Sequence, residues 1–532
     1  MPARQPLPRE LQIRDAPRRP EPDPTLGISV PTAAASGPAR HRLVTVGDSL
    51  TQGFMSGAIH RTDLSWPAIV AFELGLSARD FTYPMYEWPT GPGGLPVDLE
   101  RLAREVERRF GSRIDLLETV RAAPWLRSHM DAIEDYWERG HGSRRPEDGR
   151  PFHNTAVYGW DVLDPLVTTQ ARVEERLATR PGDDFLDQLV EHHPARAARP
   201  VLHRAAGGDS DRTVLDSVAE LAADGGIETL VVVLGSNNAL GSVISLEIAW
   251  TPASYATMTL AQRRDARGGS SLWRPSAFRA DWADLVARLR TIPAQHVVVA
   301  TVPSVTIAPI ARGTHEKVRP DSRYFPFYTR PWITDEDFDP RYDPHLREDD
   351  VRAIDSAIDS YNETIIDSVR AAREAGLDWL LFDLGGLLDR LAERRYVDSP
   401  WARPAWWDQY ELPAALRRLD PVPTTRFFRA GPDGRTEGGL FSLDGVHPTT
   451  IGYGILAQEV IRVLRLAGVA FADRHGDPRA DPVEVDFERL LRADTLVSDP
   501  PASITSSLGL LGWLDDSLDW VTRFLPSVGP RR

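Results

Sequence analysis

The sequence predicts a three-layer α/β sandwich around a parallel sheet of five strands. The first observation is a set of runs rich in β-branched residues, at 42–46, 152–157, 229–234, 295–302 and 378–383. The second is that helical patterns lie between these runs, at 64–74, 213–223, 277–289 and 350–375. Strands that alternate with helices pair in parallel through right-handed crossovers, which place helices on both faces of the sheet.

Ligands in such sheets bind beyond the carboxyl ends of the strands, so the residues that follow the strands are the first candidates for a site. Ser49 follows the first strand, in the string VTVGDSLTQG at 44–53. A serine hydroxyl is a poor nucleophile by itself and needs a base, an orienting group for that base, and donors for an oxyanion. A catalytic role for Ser49 therefore requires these three groups from elsewhere in the chain.

The candidate base lies near the other end of the chain. The string FSLDGVHP at 441–448 places Asp444 three residues before His447, ahead of a helical run. In a loop tightened by Gly445 and closed by Pro448, the carboxylate can accept from one imidazole nitrogen while the other nitrogen faces a hydroxyl.

Oxyanion donors are expected from two further strand ends. The string NTAVYG at 154–159 ends in Gly159, whose backbone amide a substrate can approach closely. The string LVVVLGSN at 230–237 reads as a buried strand that delivers the side-chain donor of Asn237.

These four motifs, which contain Ser49, Gly159, Asn237 and His447 in chain order, resemble those of the SGNH or GDSL-type hydrolase family of lipases and esterases, named for its serine, glycine, asparagine and histidine. The resemblance spans about residues 43–457 and implies a flavodoxin-like fold. It also implies roles: Ser49 as nucleophile, His447 as base oriented by Asp444, and an oxyanion hole made by the amides of Ser49 and Gly159 with the Asn237 side chain.

One position departs from the pattern. The family often has Gly-x-Asn-Asp in the third motif, and this chain has Asn238 in place of the aspartate. The implied activity is hydrolysis of a small-molecule or lipid carboxylic ester through an acyl-enzyme, without a cofactor. Two alternatives stay open. The same residues would serve an acyltransferase, and the fold would also suit a binding protein with a dormant site.

Composition excludes several other functions. A formal net charge of -15 over 532 residues disfavours nucleic acid and anionic membranes as partners. The absence of cysteine excludes thiolate chemistry, and Lys317, the only lysine, does not stand in a phosphate-binding loop. No metal site is expected: the carboxylates at 335–339 lack the glycine and glutamate of a calcium loop, and His192, His193 and His203 lack zinc-ligand spacing.

The chain divides into a Pro/Arg-rich tail, a hydrolase domain and a C-terminal extension. The tail, 1–40, is expected to be disordered, and with no secretory signal or membrane span in the sequence a cytoplasmic location is expected. The hydrolase domain covers 41–475 and contains insertions at about 83–150, 309–349 and 396–439. The C-terminal extension covers 476–532. Aromatic residues of the second insertion are candidates for a pocket wall or for surface anchors: Tyr324, Phe325, Phe327, Tyr328 and Trp332.

The extension contains an amphipathic helical pattern over 503–525. Its apolar stripe consists of Leu511, Leu514, Leu518, Val521 and Leu525. This stripe can pack on the core, form a homo-oligomer contact or meet a lipid interface. Three aspartates on the opposite side make membrane contact the least favourable of these options.

Overall fold

The computed structural model describes residues 5–31, 39–86, 94–111, 116–144, 147, 149–179, 190–206 and 209–504. Its strands, numbered in chain order, are β1 (His41–Gly47), β2 (Ala58–Ile59), β3 (Leu95–Pro96), β4 (Ile227–Val233), β5 (Ala294–Ala300), β6 (Arg312–Thr314), β7 (Phe327–Thr329), β8 (Leu346–Arg347), β9 (Trp379–Phe382), β10 (Arg429–Gly431) and β11 (Gly434–Glu437).

The α-helices, in chain order, are α1 (Ser49–Gln52), α2 (Trp66–Glu73), α3 (Leu99–Phe110), α4 (Leu116–Glu138), α5 (Asp164–Val167), α6 (Gln170–Ala178), α7 (His193–Ala206), α8 (Val214–Ala223), α9 (Asn237–Ser245), α10 (Leu260–Ala266), α11 (Pro275–Leu289), α12 (Glu348–Glu374), α13 (Leu384–Leu391), α14 (Ala414–Arg417), α15 (Thr450–Leu466), α16 (Phe487–Ala493) and α17 (Thr495–Ser498). The 3₁₀ turns are Thr62–Leu64, His141–Ser143, Tyr255–Thr257, Val305–Ile307 and Pro400–Ala402, and Glu393–Val397 forms a π-helical turn.

The main sheet has four parallel strands in the order β1-β4-β5-β9. Val46 lies opposite Val232, which lies opposite Val299 on the next strand. Consecutive residues of β4 are buried, and since neighbours along a strand point to opposite faces, both faces of the sheet are covered. The chain therefore belongs to the α/β class, and the sheet contains four of the five predicted strands.

The predicted strand at 152–157 follows the free edge of β1 with only one isolated parallel bridge, between Thr45 and Asn154. Thr45 donates to the His153 carbonyl at 2.8 Å and accepts from the Thr155 amide at 3.0 Å. The Val157 amide also donates to the Gly47 carbonyl, at 3.1 Å, whereas the amides of His153 and Asn154 both donate to the carbonyl of Thr82, which lies in a loop and not in another strand. This segment still ends beside the carboxyl end of β1.

The predicted helices are present as α2, α8, α11 and α12. Three acidic residues, Glu348, Asp349 and Asp350, lie in the first turn of α12, where they offset the positive end of the helix dipole. Helix α2 packs against α15, and α11 packs against α12. Their apolar side chains and those of the sheet form one continuous hydrophobic core.

For the segment predicted as a disordered tail, the structure describes residues 5–31 as irregular chain with several turns, bonded to the main body. The Glu21 amide donates to Asp383 at 2.7 Å, and Arg18 forms an ion pair with the same carboxylate. The Leu381 amide of β9 donates to the Pro24 carbonyl at 2.9 Å. This segment thus covers part of the edge strand β9, whose backbone groups would otherwise be unpaired.

Three small sheets lie apart from the main sheet: two lie within the second and third insertions, and one joins β3 of the first insertion to β2, which precedes that insertion. Strand β2 pairs with β3, β7 pairs with β6 and β8, and β10 pairs with β11, all antiparallel. Across the described ranges, no helix is both long enough and apolar enough to cross a bilayer. Most of the predicted terminal helix, from residue 505 onward, lies outside the described residues.

Candidate active site

Ser49 is the first residue of α1, directly after β1 and its own cap, Asp48. A methyl group at Gly47 would lie 2.3 Å from the Thr51 hydroxyl and 2.9 Å from a carbonyl oxygen of β4, so only glycine fits there. The Asp48 carboxylate caps α1 by accepting from the Leu50 amide at 3.0 Å. The strand, the glycine and the cap together set the position of the serine.

The loop at 441–448 carries the other two predicted residues. Phe441 and Pro448 form an antiparallel bridge, and the Ser442 amide donates to the His447 carbonyl at 2.8 Å. Gly445 turns the chain with φ +66°, in the left-handed region that favours glycine. The loop is therefore closed on itself before α15 begins.

The structure brings Ser49, His447 and Asp444 into one chain of hydrogen bonds. His447 Nε2 lies 2.9 Å from Ser49 Oγ, and His447 Nδ1 lies 3.0 Å from Asp444 Oδ2. Asp444 Oδ1 accepts from the amides of Val446 and His447, and Oδ2 also accepts from the Gly57 amide. Because Asp444 accepts from Nδ1, the neutral imidazole has its lone pair on Nε2, facing the serine.

The pKa values of the two buried carboxyl groups near the serine are shifted in opposite directions. Burial alone would raise the pKa of Asp444, but the His447 imidazole and the hydrogen bonds from His447 and Gly57 bring that pKa below its ordinary value. Burial raises the pKa of Asp48 to about 7, and its Oδ2 has no hydrogen-bond partner among the described residues. Asp444 is therefore the carboxylate able to stabilise a positively charged imidazole.

Gly159 lies in a loop held against α1. The Tyr158 amide donates to Gln52 Oε1 at 2.7 Å, and Gly159 follows with φ +78°. Neither the Gly159 amide nor the Ser49 amide has an acceptor in the part of the chain that the structure describes. Both amides are thus available to an oxyanion.

Asn237 begins α9, just after β4, and its Nδ2 donates to the Trp160 carbonyl at 2.8 Å. This bond joins the asparagine to the loop of Gly159 and leaves the second amide hydrogen for another acceptor. Asn238 lies deeper: its side chain is fully buried, and its Oδ1 accepts from the Val162 amide at 3.3 Å. Both asparagines therefore bond to the loop that contains Gly159: Asn237 at Trp160, next to the glycine, and Asn238 at Val162, farther along the loop.

Sequence reasoning missed the groups that hold this loop. Arg267 forms ion pairs with Asp161 and with Asp164, the latter at 2.6 Å, and Gln52 contacts Tyr158 as described above. Arg267 is more than a hundred residues from its partners, so no local spacing could reveal it. Gln52 stands only three residues after Ser49, but a single glutamine has no diagnostic pattern.

An apolar cleft opens beside Ser49 and His447. Leucines 384, 387, 388 and 391 of α13 recur at three- and four-residue spacing and form one wall. Among the described lining residues, Asp48 is the only one of acidic or strongly basic type. The cleft can accommodate an aliphatic chain next to the serine.

The aromatic residues of the insertion at 309–349 do not line this cleft. Phe325 and Tyr328 line a second cavity, and the Tyr324 hydroxyl donates to Asp355 of α12 at 3.1 Å. Tyr324 is fully buried, so this bond holds the segment on α12. The leucines of α13 take the place that the sequence suggested for aromatic side chains.

Within the described ranges, no group of three or more histidine, aspartate or glutamate side chains is arranged to hold a metal ion. No protein-family model matches the chain, and no curated protein is detectably similar to it. Its family and activity must therefore be inferred from its own residues and geometry.

Proposed function

We propose that the protein is a serine-dependent carboxylic ester hydrolase that works through an acyl-enzyme. The observation that carries the proposal is the continuous chain from Ser49 Oγ through both imidazole nitrogens of His447 to Asp444. Nucleophile, base and orienting carboxylate in hydrogen-bond contact are the arrangement that activates a serine hydroxyl.

In the proposed reaction, Ser49 Oγ attacks the ester carbonyl and its proton passes to His447 Nε2. The amides of Ser49 and Gly159 and the Asn237 side chain receive the oxyanion that forms on the carbonyl oxygen. Imidazolium then protonates the leaving alcohol while Asp444 stabilises the positive charge. Water, deprotonated by His447, attacks the acyl-enzyme and releases the acid and the free serine.

We also propose that the chain is a member of the SGNH hydrolase family. The order of the four motifs and the parallel sheet support this membership, with the segment at 152–157 as the fifth strand of a three-layer sandwich. That segment supports this role through its bridge to β1 at Thr45. The departure at Asn238 leaves the proposed donor, Asn237, in contact with the Gly159 loop.

The cleft supports an ester with an aliphatic acyl group. Most of its lining side chains are apolar, so a charged acyl group would lose its hydration and find few hydrogen-bond partners there. Each methylene buried there contributes about 0.8 kcal/mol. Hydrolysis should therefore favour medium or long acyl chains over acetate.

A fluorophosphonate probe tests the proposal, because such probes phosphonylate activated serines. The wild-type protein should be labelled at Ser49, and Ser49→Ala should lose both labelling and hydrolysis of p-nitrophenyl esters. The expected loss is on the order of 10⁶ in turnover, as for removal of a triad serine. Ser254→Ala is the matched control, since this serine is exposed and its side chain forms no cap.

A folded Ser49→Ala protein that keeps more than a tenth of wild-type activity would rule out the proposed nucleophile. Labelling without turnover on any ester, followed by product formation when a primary alcohol is added, would replace hydrolase by acyltransferase. Absence of labelling in a folded wild-type protein would favour the dormant binding protein.

A further inference from the structure

The second cavity differs from the Ser49 cleft in its chemistry. Thr425 lines both spaces, so they adjoin. Five arginines, Arg312, Arg394, Arg395, Arg426 and Arg429, line this space, which we call the arginine cavity, together with a single carboxylate, Glu437. Such a concentration of one sign of charge is notable in a chain whose formal net charge is -15.

Four of the five guanidinium groups have carboxylate partners. The pairs are Arg312 with Asp335, Arg395 with Asp355, Arg426 with Asp398 and Glu437, and Arg429 with Glu437. Arg394 has no carboxylate partner among the described residues. The arginine cavity therefore keeps a positive charge that the surrounding acids do not neutralise.

Arg394 is held in place by uncharged groups. Its guanidinium donates to the Gly313 carbonyl at 2.8 Å and lies 4.9 Å from the centre of the Phe325 ring. Lys317 Nζ lies 5.6 Å from the same ring and donates to the Arg395 carbonyl at 2.6 Å. Burial and the nearby charges of other arginines lower the pKa of Arg394, as expected for a cation in a positive field.

Two other lining arginines have donors to spare. The Nε atoms of Arg312 and Arg395 are buried and find no acceptor among the described residues. The surrounding protein thus leaves one donor of each of these two arginines unsatisfied, as it does for several arginines elsewhere in the described chain. These donors and Arg394 come from two separate segments, at 312 and 394–395.

We propose that the arginine cavity binds a phosphoryl group, with Arg394 as its principal charged contact. Guanidinium groups match the oxygens of phosphate and carboxylate with paired hydrogen bonds. A flat carboxylate is satisfied by one guanidinium fork, whereas the cavity offers guanidinium groups from the segments at 312, 394–395 and 426–429. A tetrahedral anion has oxygens in several directions and suits this arrangement better.

Titration calorimetry with inorganic phosphate tests the site, with sodium chloride added to keep the ionic strength constant. Phosphate should bind the wild type, and Arg394→Gln should raise the dissociation constant by about tenfold or more, the effect of losing a charged hydrogen-bond donor. Arg341→Gln is the matched control, because Arg341 is exposed, forms an ion pair with Asp339 and does not line the arginine cavity. If Arg394→Gln fails to fold, Arg429→Gln at the same cavity is used in its place.

Phosphate that binds the wild type no better than acetate does, or binds Arg394→Gln as tightly as Arg341→Gln, would overturn the proposal. A second assay identifies the source of the group by comparing two esters with the same acyl chain, one with a phosphorylated alcohol. A lower KM for the phosphorylated ester that depends on Arg394 assigns the group to the substrate. Equal KM values together with phosphate binding assign the site to the free anion. Calorimetry does not require turnover, so failure of the proposed hydrolase function would not be mistaken for failure of this site.

Discussion

Replacing Asp444 by asparagine examines the orienting carboxylate in detail, because every acceptor position of Asp444 faces a donor. Oδ1 accepts from the amides of Val446 and His447, at 2.9 and 2.8 Å. Oδ2 accepts from the Gly57 amide and from His447 Nδ1, both at 3.0 Å. An asparagine keeps one oxygen, so its NH₂ group must point at two donors in either orientation.

The two orientations differ in cost. With NH₂ at the Oδ1 position, two hydrogen bonds to a charged group are lost, at about 1.5–3 kcal/mol each. With NH₂ at the Oδ2 position, only the Gly57 bond is lost, because the imidazole can shift its proton to Nε2 and accept at Nδ1. The variant should take the second orientation and lose about 1.5–3 kcal/mol in free energy of unfolding.

That orientation removes the base. With the proton on Nε2, His447 has no lone pair toward Ser49, so turnover should fall by ~10⁴, as for a triad histidine held in the wrong tautomer. Hydrolysis of a p-nitrophenyl ester measures the rate, and urea unfolding measures the stability. Asp433→Asn, at an exposed hairpin position, is the matched control. A folded Asp444→Asn protein with more than a tenth of wild-type turnover would refute the assigned role.

Three further predictions concern the surroundings of the serine. Asn237→Ala should lower turnover by ~10²–10³ through loss of an oxyanion donor, whereas Asn238→Ala should mainly lower the free energy of unfolding; a reversed ranking of turnover would shift the assignment by one residue. Leu387→Trp should narrow the cleft and reduce kcat/KM for long-chain esters by about tenfold or more, while hydrolysis of an acetyl ester stays near wild type; equal losses on both would argue against the acyl pocket. Burial raises the pKa of Asp48 from 3.8 to about 7. The protonated side chain therefore stabilises the fold fully below pH 3.8, and this contribution is lost as the pH rises through 7, because the unfolded state releases the proton first. Asp48→Asn does not titrate, so the free energy of unfolding of the variant, relative to that of the wild type, should rise by about 3 kcal/mol between about pH 5 and pH 8; parallel pH profiles in urea unfolding would show that Asp48 is ionised in the folded protein.

Much of the α/β scaffold was predictable because its signals are local. A run such as IETLVVV in β4 combines β-branched residues with burial on both faces, and Gly376, with positive φ, follows α12 and its cap Ala375. The segment at 152–157 has the composition of a strand but forms only one bridge, because other hydrogen bonds of its backbone go to Thr82, seventy residues away in the chain. The course of residues 5–31 likewise depends on partners such as Asp383 that are hundreds of residues distant.

Local sequence was enough to predict the candidate chemistry: Ser49 after a strand, and Asp444 three residues before His447 in a glycine-containing turn. The meeting of Ser49 and His447, 398 residues apart in the chain, at 2.9 Å is a result of the tertiary fold. The tertiary fold also decided that leucines of α13, and not the aromatic insertion, line the cleft. The physical reason is that local spacing sets backbone conformation and capping, whereas the neighbours of a side chain depend on which distant surfaces pack together to bury apolar area.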